Sequence, residues 1–189
     1  MHRFLQWNTT RRPGRPRSFL SAAALLPLAA GLFSVAIATP AEAGFTAKEA
    51  QIMGRVLGFL DQAPPATVNL AVVYDSPASQ KEAEGLVGVL AGKAGNFTLV
   101  PKLVKAGDLA GASVNAILVM DGVGGSAAAD AVKSKKIPCF TGDTSLVKSG
   151  SCLISIKTDP KVEILVSGAL SKSSGVGFGA AFRMMITEI

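Results

Sequence analysis

The residues able to do chemistry are few, and the two cysteines come first. Cys139 and Cys152 lie thirteen positions apart in IPCFTGDTSLVKSGSC, with no histidine near either. Such a pair can be a redox catalyst, half of a metal site, two buried free thiols or a covalent staple. Redox catalysts usually carry C-x-x-C at a helix start, and zinc needs two further ligands. Three aspartates form the second group: Asp75, Asp121 and Asp143 each close an apolar run. At the ends of neighbouring strands, three carboxylates could hold a cation or an amine. Helix capping is the plainer role, because Asp75-Ser76 and Asp143-Thr144 stand just before helical patterns, where a side-chain oxygen satisfies free N–H groups.

The third group is glycine-rich. DGVGGSA, residues 121–127, fits G-x-G-x-x-A through Gly122, Gly124 and Ala127, with Ser126 opening the following helix. Asp143 stands about twenty residues later, as the dinucleotide-binding pattern asks. Backbone N–H groups of such a turn can cradle a phosphate or a carboxylate. Against that reading, the turn follows the third strand rather than the first, and Asp121 sets a negative charge beside the pyrophosphate position. A glycine-rich turn is favoured, with a small anionic ligand as the remaining option.

Which of these chemistries is available depends on the N-terminus. Arg3, Arg11, Arg12, Arg15 and Arg17 precede the apolar run FLSAAALLPLAAGLFSVAIA, which ends at Ala41-Glu42-Ala43. A basic region, an apolar region and an A-x-A site make a secretory leader. The competing reading is a retained anchor, since about twenty apolar residues span a bilayer. Pro40 and the small-residue site favour cleavage. We therefore expect residues 1–43 to be removed and residues 44–189 to form one domain. The protein is then periplasmic; Arg11-Arg12 alone does not decide between the general and twin-arginine export routes.

Cleavage changes the balance of charge. The whole chain has 19 basic and 13 acidic side chains. The leader takes five arginines and Glu42 with it, leaving 14 against 12, a net charge of +2. A nucleic-acid role loses the basic surface it needs; KSKK at 133–136 reads as a solvated helix end. His2 and Trp7 are also lost, and no other histidine exists. That excludes Ser-His-Asp and Cys-His nucleophile systems and histidine metal ligation. No catalytic residue, metal site or cofactor is expected, and the reading is non-enzymatic.

The elements that must position these groups alternate. Thr46 and Glu49 have capping-box spacing ahead of Met53, Val56, Leu57 and Leu60 on one helical face. TVNLAVVY, 67–74, reads as a strand buried on both faces. Ser76 as cap and Pro77 at the first helical position then open a helix. NFTLVPKLV is a second strand, with Pro101 arguing for an edge or a strand end. VNAILVMD, GSAAADAVKSKK and KIPCFTGD add strand, helix and strand. The runs 152–158 and 161–167 flank Asp159-Pro160 as an antiparallel hairpin. Phe178, Phe182, Met185, Ile186 and Ile189 have the spacing of a closing amphipathic helix. The fold class is α/β, a mostly parallel central sheet flanked by helices, with a C-terminal antiparallel hairpin and closing helix. If the strands beginning at Cys139 and Cys152 are parallel neighbours, the cysteines lie level, within the roughly 4.4–6.8 Å between Cα atoms that a disulfide needs. In an oxidising compartment the staple is the favoured outcome.

Taken together, VNLAVVYDSP, NAILVMD, IPCFTGD, LVKSGSCLISIKTDPKVEILVS and SSGVGFGAAFRMMI resemble the YfiR-like periplasmic proteins over most of residues 46–189. That resemblance implies a regulator that binds the periplasmic sensor region of an inner-membrane diguanylate cyclase and restrains it, often under disulfide control. The chain departs from the pattern in having Phe59 but no tryptophan at the end of the first helix, and only one cysteine pair. A rival expectation is a single-lobe solute-binding component of a transporter, because VNLAVVYDSP and NAILVMDGVGG also look like strands of periplasmic binding proteins. Contact residues under either reading are Asp75, Ser76, Asp121, Gly122, Gly124, Ser126, Asp143 and Thr144, with the hairpin tip at 158–161. A homodimer is compatible with both.

Overall fold

The computed structural model describes residues 45–189, so the leader expected over residues 1–43 lies outside the described residues. Helix α1, Ala47–Leu57, is opened by a reciprocal capping box: Thr46 Oγ1 accepts from the Glu49 N–H, and Glu49 Oε2 accepts from the Thr46 N–H at 2.6 Å. Its apolar face buries Ala50, Met53, Val56 and Leu57. The helix stops a turn earlier than the spacing predicts. Leu60 is still buried, through an isolated bridge to Phe178 rather than as a helical residue.

Strands β1 (Thr67–Tyr74), β2 (Gly92–Ala94), β3 (Phe97–Lys105), β4 (Ala116–Val119), β5 (Cys139–Thr141), β6 (Ile154–Lys157), β7 (Glu163–Val166) and β8 (Thr187–Glu188) form one sheet in the order β2-β3-β1-β4-β5-β6-β7-β8. The central run β3-β1-β4-β5-β6 is parallel throughout. Counted by themselves, these five strands have the doubly wound order 2-1-3-4-5. Their connections leave β1 in one direction and β4 in the other. Right-handed crossovers then lay α2 (Pro77–Leu90) on one face and α3 (Ser126–Lys135) on the opposite face. The packing agrees: α1 touches α2, and α3 touches α5, Gly168–Ser174. Cover on both faces explains why β4 is apolar at every position and buried at every position.

Proline in a nine-residue strand has a simple explanation here. The Thr98 N–H donates to Ala66 O on the β1 side, so residues in phase with Thr98 face β1 and Pro101 faces away. β2 pairs only with residues 97–99 of β3. The missing N–H of Pro101 therefore falls on the open edge and costs no ladder bond.

The C-terminal third departs from the parallel pattern. β6 and β7 pair antiparallel from Ile154 opposite Val166 to Lys157 opposite Glu163, so the expected hairpin has a five-residue loop, 158–162. The closing helix is shorter than its spacing predicts: α6 covers Ala180–Arg183, and the chain then runs into β8 beside β7. Two causes are visible. Gly175, Gly177 and Gly179 keep Phe178 out of the helix, and the β-branched Ile186 and Thr187 suit the otherwise unpaired edge of β7. Phe178 and Phe182 still meet in the core, with ring centroids 5.1 Å apart, but Met185 and Ile189 are exposed rather than packed on the sheet.

Cys139 and Cys152 form a disulfide with 5.3 Å between Cα atoms. Both side chains are fully buried. The parallel pairing of Phe140 with Ile154 brings the two cysteines level at the amino ends of β5 and β6, as the spacing predicts.

Candidate binding rim at the carboxyl ends of the strands

Because β1, β4, β5 and β6 are parallel, the segments that follow them emerge at one end of the sheet. Asp75-Ser76, the glycine loop 121–125, Gly142-Asp143 and the hairpin loop 158–162 therefore share one rim. In a sheet of this order, ligands enter where the connections diverge. That switch point lies between β1 and β4, so the loops of Asp75 and of Gly122–Gly125 are its two walls.

The three aspartates do different things there. Asp143 caps α4, Thr144–Lys148: its Oδ1 accepts from the Ser145 N–H at 2.7 Å, and its own N–H donates to Thr141 Oγ1. Thr144 opens that helix and is half-buried. On β1 the cap of α2 is Ser76, which accepts from the Ser79 N–H. Asp75 takes no part in capping. Its Oδ2 instead accepts from the Gly124 N–H at 3.1 Å, across the switch point. Asp121 caps nothing: the N-cap of α3 is Gly125, which has no side chain to offer, and α3 has no side-chain cap.

Asp121 is open to solvent on one side and lies against the Gly142 backbone on the other, where an added Cβ would sit 3.2 Å from Oδ1. Its carboxyl is pushed above the ordinary aspartate range, first by partial loss of solvent and then by the charge of Asp143. Lys157 opposes the shift, while Glu82 and Glu49 add to it. Asp121 thus has acids and a lysine in reach, and the acids with the loss of solvent prevail. Among the described residues the acids do not gather into a set able to hold a metal ion, so the three carboxylates are not a cation cage.

The glycine loop is shaped for close approach but is partly spoken for. Gly122 has φ +75°, a conformation that suits glycine, and open space surrounds the Cα atoms of Gly122 and Gly124. The Val123 N–H donates to Met120 O, and the Gly124 N–H is taken by Asp75. Ser126 is exposed at the first position of α3. A pyrophosphate would find one amide already occupied by a carboxylate and Asp121 beside it. The geometry suits a cationic group better than an anionic one.

Sequence reasoning missed two contributors. Ser79 holds Asp75 in place, its Oγ accepting from the Asp75 and Ser76 N–H groups at 3.2 and 3.1 Å and lying 3.4 Å from Asp75 Oδ1. The signal was there, because Ser76 and Ser79 have capping-box spacing. Lys157 and Glu49 were the other omission. They reach the rim because Lys48 Nζ donates to Thr158 O and Thr158 Oγ1 donates to Glu49, tying the start of α1 to the hairpin loop. At the opposite end of the sheet, Leu60, Gln62, Lys136, Pro138 and Gly175–Gly177 line a recess of about 20 Å³. It has room for a single water and not for a solute.

No family model matches the chain, and no curated protein sequence matches it. Solved structures do. A crystal structure of a conserved domain protein from Vibrio cholerae O1 biovar El Tor superposes with TM-score 0.54 at 15% identity, over 75% of this chain and 59% of that one. The ABC domain in complex with L-Trp from Streptococcus pneumonia superposes with TM-score 0.52 at 15% identity, over 74% of this chain and 61% of that one. The chain thus spans less than two thirds of either. These likenesses establish the α/β architecture.

Proposed function

We propose that this chain is a non-enzymatic, exported binding domain that receives an amine-bearing solute at its carboxyl rim, as a single-lobe solute-binding component of a transporter. The observation that carries this reading is Asp121: a solvent-reachable carboxyl at the rim, uncommitted to any cap, its charged form disfavoured first by partial loss of solvent and then by the charge of Asp143, against the opposing Lys157. A ligand ammonium placed there relieves like-charge repulsion and gains a charge-assisted hydrogen bond. Support also comes from the Streptococcus domain of similar fold, whose ligand L-Trp carries such a group. Export accords with the arginine-rich leader and with the disulfide, a bond that persists in oxidising compartments. Among the described residues, no helix is long and apolar enough to cross a membrane.

Isothermal titration of the purified protein with L-tryptophan, L-lysine and indole-3-propionate tests the reading. Binding of at least one amine, no binding of the deaminated acid, and about a tenfold loss in Asp121→Asn are expected. Binding of the acid alone would overturn it.

A second reading is favoured by a different surface. Met184 and Met185 are 84% and 60% exposed, and Phe59, 37% exposed, stacks on Phe182 nearby. Exposed apolar side chains of this size suit protein contact. In this reading the domain regulates an inner-membrane signalling protein, such as a diguanylate cyclase, through its periplasmic sensor region, as the YfiR-like resemblance implies. Crosslinked recovery from intact envelope separates the two: a cyclase or sensor kinase supports regulation, and a permease supports transport.

A further inference from the structure

The switch-point crevice is bridged from within. Asp75 follows β1 and Gly124 follows β4, the two strands between which the connections diverge, and the hydrogen bond between them spans 49 positions of sequence. Asp75 is free for this task because Ser76 supplies the cap of α2. Ser79, itself buried, holds the Asp75 backbone and lies against its second carboxylate oxygen. On the other wall, Gly124 is exposed and open space lies beside Gly122 and Gly124, so a ligand can reach the bonded amide, while buried Val123 anchors the rest of the loop.

We propose that the Asp75 carboxylate is a clasp that closes the switch-point crevice by holding the Gly124 N–H, and that a ligand entering between the two loops must release it. Ser79 is the positioning residue that aims the clasp. A cationic ligand releases it by competing with the Gly124 N–H for Asp75 Oδ2, and the freed loop turns its amide to solvent. The gating consequence rests on the rim being the binding site; the clasp itself does not.

Amide hydrogen exchange at Gly124, read by NMR on the purified protein, tests the two parts separately. In Asp75→Ala the Gly124 amide should exchange about five- to tenfold faster, the change expected for loss of one hydrogen bond to a charged acceptor near the surface. Asp75→Asn keeps an acceptor oxygen and should fall between. Amides in the middle of β1 should be unchanged, because they bond to β3 and β4 and not to the Asp75 side chain. Ser79→Ala should raise the Gly124 rate by a smaller factor. Gly124 exchange within twofold of the parent in Asp75→Ala would overturn the clasp. With L-lysine added at a concentration shown by calorimetry to saturate the protein, Gly124 exchange should rise in the parent and not in Asp75→Ala. Saturation without that rise would overturn the gating role, whereas absence of L-lysine binding counts against the amine reading and leaves the result in the free protein to decide the clasp.

Discussion

At the amino end of the parallel sheet, β5 and the approach to β6 are joined by a fully buried covalent bond between Cys139 and Cys152. At the carboxyl end, the walls of the switch point meet through a hydrogen bond from Gly124 to Asp75. The two ends are thus fixed to different degrees. The covalent tie constrains the unfolded chain as well as the folded one, whereas the contact between Asp75 and Gly124 is a solvent-accessible hydrogen bond that can be exchanged for another. A binding domain benefits from that division: a firm base keeps the strands in register while the loops that meet ligand remain adjustable.

The largest expected effect breaks the base. Cys139→Ala/Cys152→Ala should lower unfolding free energy by about 3 kcal/mol, the entropic value for a closed loop of this length, as read by urea denaturation. A loss near zero would mean that the amino end is held by packing alone. Next in size is the packing step under α1. Gly54 lies against the backbone of Ala94 in β2, leaving no room for a Cβ. Gly54→Ala should therefore destabilise by roughly 1–3 kcal/mol in the same assay. Neither change should alter solute affinity per folded molecule, because both lie away from the rim.

Changes at the rim should be smaller for stability and larger for binding. Asp75→Ala is expected to cost less than about 1 kcal/mol, as a solvent-accessible hydrogen bond does. The smallest effect is the pH dependence of Asp121. Its folded carboxyl binds a proton more readily than the unfolded one, so its ionisation opposes folding. That opposition is absent below the ordinary aspartate value and grows as pH rises through the raised folded value. Asp121→Asn should therefore be slightly more stable than the parent at neutral pH, by less than about 1 kcal/mol given solvent screening. The difference should vanish in acid, where paired urea titrations at two pH values can follow it. A variant less stable at neutral pH would mean that Asp121 makes a favourable contact, for example with Lys157, that outweighs the acids around it.

Much of this architecture was legible in the sequence because local signals and burial agreed. TVNLAVVY is apolar on both faces and is a central strand with the expected bounds; Ser76-Pro77 starts α2 where a cap followed by proline should. The cysteine pairing followed from strand order and level. The closing helix was over-read, because helical spacing of Phe178, Phe182, Met185 and Ile189 coexisted with an unpaired edge on β7 that the last residues complete instead. The site was legible only in part. That Asp75, Asp121 and Asp143 end up at one rim follows from parallel strands, but their separate roles do not. The choice of Gly124 by Asp75 depends on which strands are neighbours, and no local pattern encodes a contact between two loops from different crossovers.

On the proposed reading a solute binds at the carboxyl rim, and not at the apolar surface of Phe59, Met184 and Met185. An NMR titration of the purified, isotope-labelled protein with L-tryptophan and L-lysine addresses it most directly. Shifts should concentrate at Ser76, Gly122–Ser126 and Asp143-Thr144 and require about tenfold more ligand in Asp121→Asn. Shifts confined to the surface around Phe59 and Met184, or saturating at the same ligand concentration in Asp121→Asn, would contradict it.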